Sequence, residues 1–328
     1  MSITFRNYNP LKDFKLVSDF LIKHFQLDNR DGNWLEPAWD YMHSHPYLDK
    51  SALGRIGIWE EGREIVGVVH YESKLGEVFF ETHPSHSHLK PEMLDYAEKK
   101  LYGIAENGRH FVKAYINDFD RGFEAIAQSR GYAKMPDISR PISQFAISKP
   151  FPEIKLPTGF CLKSLAEVDD LPAPMPACAS HLPAAKAGAD RLRQAGLRKI
   201  HRVLWRGFNH AGEPPEDGLA GRKQMQSAPG FRPDLNIVVE APDGNLVSYS
   251  GQWYDAVNKI CYVEPVATDP DYRRMGLGKA AVLEGVRRCG QLGVTAAYVG
   301  SSIDFYQAIG FKKLYASQCW VKYIQVKV

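Results

Sequence analysis

One segment of this chain, an apolar run followed by a basic glycine loop and a helical pattern, restricts its fold and chemistry most. The apolar run ends at Thr268, residues 273–278 read Arg-Arg-Met-Gly-Leu-Gly, and helical spacing begins at Lys279. Where a strand enters a helix this way, the first-turn amides lack intrahelical acceptors and the helix dipole adds positive potential. Gly276 and Gly278 would let a phosphate approach the backbone without a Cβ in its way. The sequence therefore predicts a site for a ligand that carries a pyrophosphate.

Two familiar phosphate loops fit this segment poorly. A nucleotide-hydrolase loop requires Gly-x-x-x-x-Gly-Lys-Ser/Thr, whereas this chain has Gly-x-Gly-Lys-Ala. A dinucleotide fingerprint requires a third glycine, and its place is taken by Ala281. The loop instead resembles the Arg/Gln-x-x-Gly-x-Gly/Ala signature of the GNAT superfamily of N-acetyltransferases, read here as Arg273-x-x-Gly276-x-Gly278.

In that family the loop amides hold the pyrophosphate of acetyl-CoA, so the resemblance implies acetyl-CoA as cosubstrate. It also implies that the strand before the loop splays from its neighbour and frees backbone amides for the pantetheine arm and the thioester oxygen. The residues expected to bind the cosubstrate here are Val266, Ala267, Thr268, Arg273, Arg274, Met275, Gly276, Leu277, Gly278 and Lys279.

The segments after the loop extend the resemblance over roughly residues 260–322. A helical pattern ends near Gly290, a strand-like run covers 294–299, and Phe305-Tyr306-Gln-Ala-Ile-Gly-Phe follows. This last segment resembles the family's Phe/Leu-Tyr-x-x-x-Gly-Phe, which implies that Tyr306 protonates the leaving thiolate. Many family members carry an Asn seven residues before that Tyr, where this chain has Val299. We therefore expect backbone groups or a serine such as Ser301 to contact the pantetheine arm.

The first half of the chain resembles a degenerate repeat of the second. A hairpin pattern over 56–70 matches another over 236–251, and residues 78–84 parallel 263–270. In this register Lys90 and Glu92 take the places of the loop glycines, and Ala127 takes the place of Tyr306. A loop with two added Cβ atoms and a carboxylate should bind acetyl-CoA poorly. The first half is therefore predicted to keep the fold without the cosubstrate.

A proline-rich extended segment separates the two halves. We predict a degenerate GNAT-like domain over 1–147, a linker over 148–158 and a catalytic GNAT domain over 159–328. The resemblance implies an α/β fold with two such domains in tandem, each a mostly antiparallel twisted sheet flanked by helices.

Composition limits the partners, the compartment and the metal sites that can be expected for this chain. The chain has 328 residues, 44% hydrophobic and 24% charged, with a net charge of +3, which gives no argument for nucleic-acid binding. Its apolar runs are too short for a membrane helix, and the N-terminus lacks a signal-peptide core. The 5 cysteines lack metal-like spacing, so we expect reduced thiols in a cytoplasmic protein. His83-x-x-His86-x-His88 has ligand-like spacing, but we expect a solvated loop there and no metal.

The general base is the least determined part of the chemistry. Period-2 alternation places Tyr262, Glu264 and Val266 on one face of a strand. If that face looks into the cleft, Glu264 takes the proton of the attacking amine; alternatively it is a structural carboxylate that pairs with an arginine. Asp255 and Asp304 are weaker candidates.

The region between about 170 and 232 is expected to cover the acceptor side. Several prolines break its pattern early, and helical spacing returns later. Its polar and aromatic side chains either shape an acceptor pocket or pack within a helix. They are Trp205, Arg206, Phe208, Asn209 and His210.

The sequence thus predicts an N-acetyltransferase that moves an acetyl group from acetyl-CoA to the primary amine of a small molecule. Expected acceptors are an amino sugar, an antibiotic, a polyamine or an amino acid derivative, held in the cleft between the domains. Direct attack is preferred because Cys261 should point away from Tyr262. The alternative is an acyl-CoA sensor without turnover, and a third possibility is that both domains bind CoA. We expect a monomer or homodimer without nucleic-acid or membrane partners.

Overall fold

The computed structural model describes residues 2–168 and 183–325, and over 183–194 it describes the backbone alone. The predicted break of the chain at Pro172, Pro174 and Pro176 lies outside the described residues, as does Cys178. Among the described residues, every helix is too short or too polar to cross a membrane.

The first half contains a strand, an amphipathic helix and a hairpin where the sequence predicts them. Its strands are β1 (Ile3–Asn7), β2 (Gly57–Glu61), β3 (Glu64–His70), β4 (Glu77–Thr82), β5 (Gly103–Ile104), β6 (His110–Asn117) and β7 (Ala133–Ala146). Its helices are α1 (Pro10–His24), α2 (Glu36–Ser44), α3 (Lys90–Lys100) and α4 (Arg121–Ser129).

The second half repeats this order, as its hairpin and loop patterns predict. Its strands are β8 (Cys161–Ser164), β9 (Ile237–Glu240), β10 (Leu246–Asp255), β11 (Ile260–Thr268), β12 (Ala296–Val299) and β13 (Lys312–Ile324). Its helices are α5 (Pro183–Gly207), α6 (Gly218–Gln226), α7 (Leu277–Gln291) and α8 (Asp304–Ile309).

The strands join into one mixed sheet in which the two halves exchange strands. The order is β1-β2-β3-β4-β6-β13-β7-β12-β11-β10-β9-β8, and β5 pairs with β6. The C-terminal strand β13 therefore lies between two strands of the first half, and β7 of the first half pairs with β12 of the second. The mixed α/β fold agrees with the prediction.

This exchange bears on the predicted domain division. Residues 147–160 contain no strand or helix, as expected of a linker. The strands β7 and β13 nevertheless pair across that point in the chain over most of their length. The division at 148–158 stays a prediction about the sequence, because the sheet itself is continuous.

Separate apolar clusters cover the two faces of the second half of the sheet. On one face α7 and α8 pack through Val282, Leu283, Val286 and Ile309. On the other face α5 packs through Ile200, Val203 and Leu204. Burial of these aliphatic side chains holds the helices against the strands and fixes where the loop between β11 and α7 emerges.

Candidate active site

The helix α7 begins at Leu277, two residues before the start that the sequence predicts. Gly276 is its N-cap residue, with a left-handed φ of 82°, and no side chain caps the helix. The helical bonds begin with Ala280 N–H donating to Gly276 O at 3.0 Å. The N–H groups of Leu277, Gly278 and Lys279 precede that bond, so they form a positive corner that suits an anion.

The two glycines of the loop serve different structural needs. A Cβ on Gly276 would meet open space, but the positive φ there disfavours any other residue. A Cβ on Gly278 would lie 2.9 Å from Thr268 Oγ1 and 3.3 Å from the Phe305 ring. Gly278 therefore lets α7 pack closely on β11 and α8. That both glycines also admit a phosphate stays a prediction.

An ion pair fixes the entrance of the loop to the end of α5. Arg206 Nε and Nη2 donate to the Asp269 carboxylate at 2.6 and 3.0 Å, and Arg206 Nη2 also donates to Asp271 at 2.6 Å. Burial opposes ionisation of Asp269, but the bonds from Arg206 prevail and lower its pKa. The buried carboxylate thus stays charged and holds the loop in place.

The predicted cationic residues of the loop differ in their contacts. Arg273 donates to Thr268 O at 3.2 Å, Gly207 O at 2.9 Å and Asn209 Oδ1 at 2.8 Å. It therefore ties the loop to α5 as well as adding charge. Arg274 is exposed at a positive φ of 64°, and the neighbouring Met275 is exposed too.

The aromatic residues at the end of α5 lie beside this loop. The ring of Trp205 stacks on His210 with centroids 4.3 Å apart, and its Nε1 donates to Gly212 O at 3.1 Å. Phe208 is 46% exposed. For Trp205 the structure supports the packing alternative rather than an acceptor pocket.

The strands β11 and β12 separate beside the loop, as the resemblance implies. They pair only between Ile260–Tyr262 and Ala296–Tyr298, while β11 continues to Thr268. Ser301 follows β12 in the half-buried connection to α8. The opening between the two strands therefore begins after Tyr262 and Tyr298, where their pairing ends.

A bulge on the other edge of β11 changes the direction of its side chains. The register shifts between Ser250 and Gln252, and a Cβ on the intervening Gly251 would lie 2.5 Å from Glu264 O. Only glycine fits this approach, and the backbone of Glu264 also accepts a hydrogen bond from Trp253 Nε1 at 3.0 Å. The bulge therefore holds Glu264 in a defined place.

The bulge also corrects one prediction. Val266 packs against the cluster that contains Cys261 and Val263, on the face covered by α7 and α8. Tyr262 and Glu264 line a cavity on the opposite face. The expectation that Glu264 and Val266 share a face is wrong, because the extra residue of the bulge shifts the alternation. The shared face of Tyr262 and Glu264, and the opposite direction of Cys261, are confirmed.

Tyr306 lies on the α7 side of the opening. Its side chain is 8% exposed and packs against Phe311, with ring centroids 5.6 Å apart. Its hydroxyl forms no hydrogen bond within the part of the chain that the structure describes. Burial and the negative charge of Glu264 raise the pKa of Tyr306 well above its usual range. The phenol therefore keeps its proton at neutral pH and can donate it.

Glu264 lies on the other side of the opening and has the properties of a base. Burial and the charge of Glu72 raise its pKa to about 7, against a hydrogen bond donated by Tyr41. Among the described residues no arginine pairs with it, so the alternative of a structural ion pair has no support. The weaker candidate Asp255 instead accepts hydrogen bonds from the turn amides of Val257 and Asn258.

The face that carries Glu264 opens into a cavity of about 450 Å³ between the two halves of the chain. The second half contributes Tyr262, Glu264 and Gly300 to its wall. Sequence reasoning missed the contribution of the first half, whose chemistry-bearing residues follow no recognised spacing. They include Trp34, Tyr41, Glu72, Phe79 and Arg140.

In the first half, side chains fill the corner that corresponds to the glycine loop. Glu92 Oε1 accepts from Trp59 Nε1 at 2.9 Å, and Lys90 pairs with Asp120. Ala127 is buried in the core of that half. Nearby, His83 and His86 approach each other, but no group of three potential metal ligands converges within the described ranges.

Comparison with known proteins agrees with this geometry. Residues 197–311 match the model of the acetyltransferase (GNAT) family. No curated protein sequence matches the chain significantly.

Solved structures with a similar fold share little sequence with the chain. A tandem GNAT protein from the clavulanic acid biosynthesis pathway has a TM-score of 0.61 at 12% identity, with 100% of both chains covered. A GCN5-related N-acetyltransferase from Sphaerobacter thermophilus has a TM-score of 0.57 at 14% identity, covering 99% of this chain and 97% of its own. A glucosamine N-acetyltransferase region of a fungal multi-domain GH3 β-N-acetylglucosaminidase has a TM-score of 0.52 at 13% identity, covering 98% of this chain and 38% of its own.

At these identities the structural likeness shows the fold, and the family model shows the relationship of the second half. Residues 197–311 of this chain thus match the GNAT acetyltransferase family model, and over its whole length the chain has the fold of the tandem GNAT protein.

Proposed function

We propose that the chain is an acetyl-CoA-dependent N-acetyltransferase whose acceptor is the primary amine of a small molecule. The observation that carries the proposal is the placement of Glu264 and Tyr306 on opposite sides of the opening between β11 and β12. Glu264 is suited to accept a proton near neutral pH, and Tyr306 is suited to keep its proton at that pH.

The residues present fit acetyl-CoA. The uncapped first turn of α7 offers N–H groups for a diphosphate, and the space at Gly276 is open on the side where a Cβ would stand. The split strands leave backbone groups of Val266, Ala267 and Thr268 near the path from that corner to the opening. When bound, acetyl-CoA supplies a thioester whose acetyl group can pass to an amine.

The residues of the chain then divide the proton transfers between them. The ammonium of the acceptor loses a proton to the Glu264 carboxylate, so that the neutral nitrogen can form the new C–N bond. As the C–S bond breaks, Tyr306 Oη donates its proton to the departing sulfur, and the second proton that the nitrogen loses on becoming an amide restores the phenol. The direct route needs no covalent enzyme intermediate, and a hydrogen bond with Cys289 together with burial raises the pKa of Cys261, which suits it poorly to such a role.

The acceptor is proposed to occupy the cavity between the halves. Its volume of about 450 Å³ suits a small molecule and is closed by residues from both halves. Aromatic rings and polar groups share its wall, as expected for a polar amine such as an amino sugar, an amino acid derivative or a polyamine. The neighbouring fold of a glucosamine N-acetyltransferase region is compatible with the first of these.

Thiol release from acetyl-CoA, measured with a panel of primary amines, tests the proposal. We expect amine-dependent release that Tyr306→Phe abolishes while CoA binding persists. Tight CoA binding without turnover across the panel would favour the sensor alternative. Calorimetric titration with CoA should show one site per chain, and two sites would show that the first half also binds it.

A further inference from the structure

The first half of the chain contributes a charged group, Glu72, to the cavity that we assign to the acceptor. Glu72 lies between β3 and β4, and its side chain is 36% exposed at the wall of the cavity. Its counterpart from the second half in the same wall is Glu264. Two carboxylates from different halves thus meet in one enclosed space.

A chain of ion pairs holds Glu72 in position. Arg140 Nη1 donates to Glu72, and Arg140 Nη2 donates to Glu77 Oε2 at 3.0 Å. Lys113 pairs with the other oxygen of Glu77 at 3.3 Å. The guanidinium of Arg140 also lies over the Phe79 ring, 5.0 Å from its centroid. The carboxylate of Glu72 is therefore fixed before any ligand binds.

The two carboxylates line the same cavity and interact electrostatically. The charge of Glu72 is the second cause, after burial, of the raised pKa of Glu264. Glu72 therefore acts on Glu264 although Arg140 neutralises part of its charge. Like charges that share an enclosed site disfavour each other's ionised form, and a bound cation relieves that cost.

We propose that Glu72 and Glu264 together bind the acceptor as its ammonium ion, so that the first half supplies a substrate-binding residue to the active site. The proposal rests on the proposed function and adds the charge state of the acceptor and a second residue that recognises it. Glu264 would take the proton from the ammonium, while Glu72 keeps the nitrogen in place.

The surroundings of Glu264 contain few other groups that could substitute for Glu72. The hydroxyl of Tyr41, from α2, donates to Glu264, and Tyr262 lies on the same strand. His45 also lines the cavity, but burial and Arg222 lower its pKa to about 4, so it stays neutral. The charged and titratable side chains that line the cavity with Glu264 are Tyr41, His45, Tyr47, Glu72, Arg140, Tyr262 and Tyr315, and Tyr306 lies on the opposite face of the sheet.

The test compares Glu72→Gln with Glu77→Gln in the full chain. Both variants remove a partner of Arg140, but only Glu72 lines the cavity. For an amine that the wild type acetylates, we expect Glu72→Gln to raise the KM for the amine roughly 10- to 100-fold, with an unchanged KM for acetyl-CoA. The midpoint of the pH profile of kcat/KM should move to lower pH, because the charge of Glu72 no longer raises the pKa of Glu264. Glu77→Gln should change both quantities much less.

A quaternary ammonium analogue of that amine, which keeps the charge but cannot react, provides a second readout. It should inhibit the wild type and lose that inhibition in Glu72→Gln, while a neutral isostere should inhibit neither. Equal effects of the two variants, or an unchanged amine KM and pH midpoint in Glu72→Gln, would overturn this inference but leave the proposed function intact. Absence of turnover with every amine in the wild type would instead overturn the proposed function.

Discussion

Arg206 and Asp269 form a two-bond ion pair that joins the last turn of α5 to the residue directly after β11. The pair anchors one end of a loop that contains an exposed Arg274 at positive φ and a left-handed Gly276. The shape of the loop in turn determines where the first amides of α7 point.

We expect Asp269→Asn to weaken CoA binding roughly tenfold, because the buried guanidinium contact loses its charge partner. Asp271→Asn is the matched control, since Asp271 binds the same arginine but its side chain is 73% exposed against 1% for Asp269. An ion pair with such an exposed carboxylate contributes about 0–1 kcal/mol to stability. Calorimetric Kd values for CoA that rise equally in both variants would argue against a role for burial.

Gly276→Glu should reduce CoA affinity by more than roughly tenfold, since a carboxylate would stand at the corner where the diphosphate is expected. Gly108→Glu is the control, because Gly108 also has a positive φ, 77°, and open space around its Cβ. Both changes carry a similar backbone cost of about 1–3 kcal/mol. If titration finds the same affinity in Gly276→Glu as in the wild type, the loop does not hold CoA.

Tyr306→Phe should lower kcat by roughly 10²- to 10⁴-fold and leave CoA affinity and the free energy of unfolding nearly unchanged. The reason is that its hydroxyl bonds to none of the described residues, so only the donated proton is lost. Tyr254→Phe removes a hydroxyl that donates to Leu292 O and should leave kcat unchanged. Steady-state rates of thiol release check both variants, and retention of most of the activity in Tyr306→Phe would remove it as the acid.

Glu264→Gln should abolish the rise of kcat/KM with pH that has its midpoint at about 7. The wild-type base is inactive while protonated, so its rate increases as pH rises through the folded-state pKa of about 7. The amide cannot take part in that titration. Measurements of kcat/KM in the two proteins over about pH 5.5–9 show whether this rise is present in each. The range covers about 1.5–2 pH units on each side of the midpoint. A persisting rise near pH 7 in Glu264→Gln would assign it to another group.

Stability should depend on pH through Glu36 on α2. Burial, followed by the charges of Asp40 and Asp255, raises the pKa of Glu36 to about 7. A carboxyl with a raised folded-state pKa contributes stability that is complete below the unfolded-state pKa and is lost as pH rises to about 7. We therefore expect Glu36 to account for on the order of 1–3 kcal/mol of the stability that the wild type loses between pH 4.5 and 8, so that Glu36→Gln loses correspondingly less.

Urea unfolding at the two pH values measures this difference. Glu64→Gln is the control, because Glu64 lies on the surface and pairs only with the exposed Lys23. An identical pH dependence of the unfolding free energy in the wild type and Glu36→Gln would show that another group is responsible.

Local sequence patterns predicted most of the elements and the loop of the site. The glycine loop and the helix after it follow from spacing and turn chemistry, which act over a few residues, whereas Tyr306 follows from the resemblance to the GNAT family. Pro265 indicated that the alternation could break there, since proline in a strand often marks a bulge. The sequence alone did not show that the break moves Val266 to the face opposite Glu264.

The remaining features depend on contacts between residues far apart in the chain. Tyr41, Glu72 and Arg140 reach the cavity only because β7 and β13 bring the halves together. No periodicity in either strand indicates which partner it selects, since both alternate in the same way whichever neighbour they have. Glu264 could be identified as a candidate base, but the group that adjusts its acidity could not.

The position of β13 between β6 and β7 has a consequence for synthesis. The residues that complete the sheet of the first half are made after β8–β12 of the second half, so the first half has an open edge until β13 is synthesised. Cutting the gene near the codons for residues 147–160 would give one product with an unpaired β6 and another with an unpaired β12. We therefore expect each half to need strands of the other to complete its sheet.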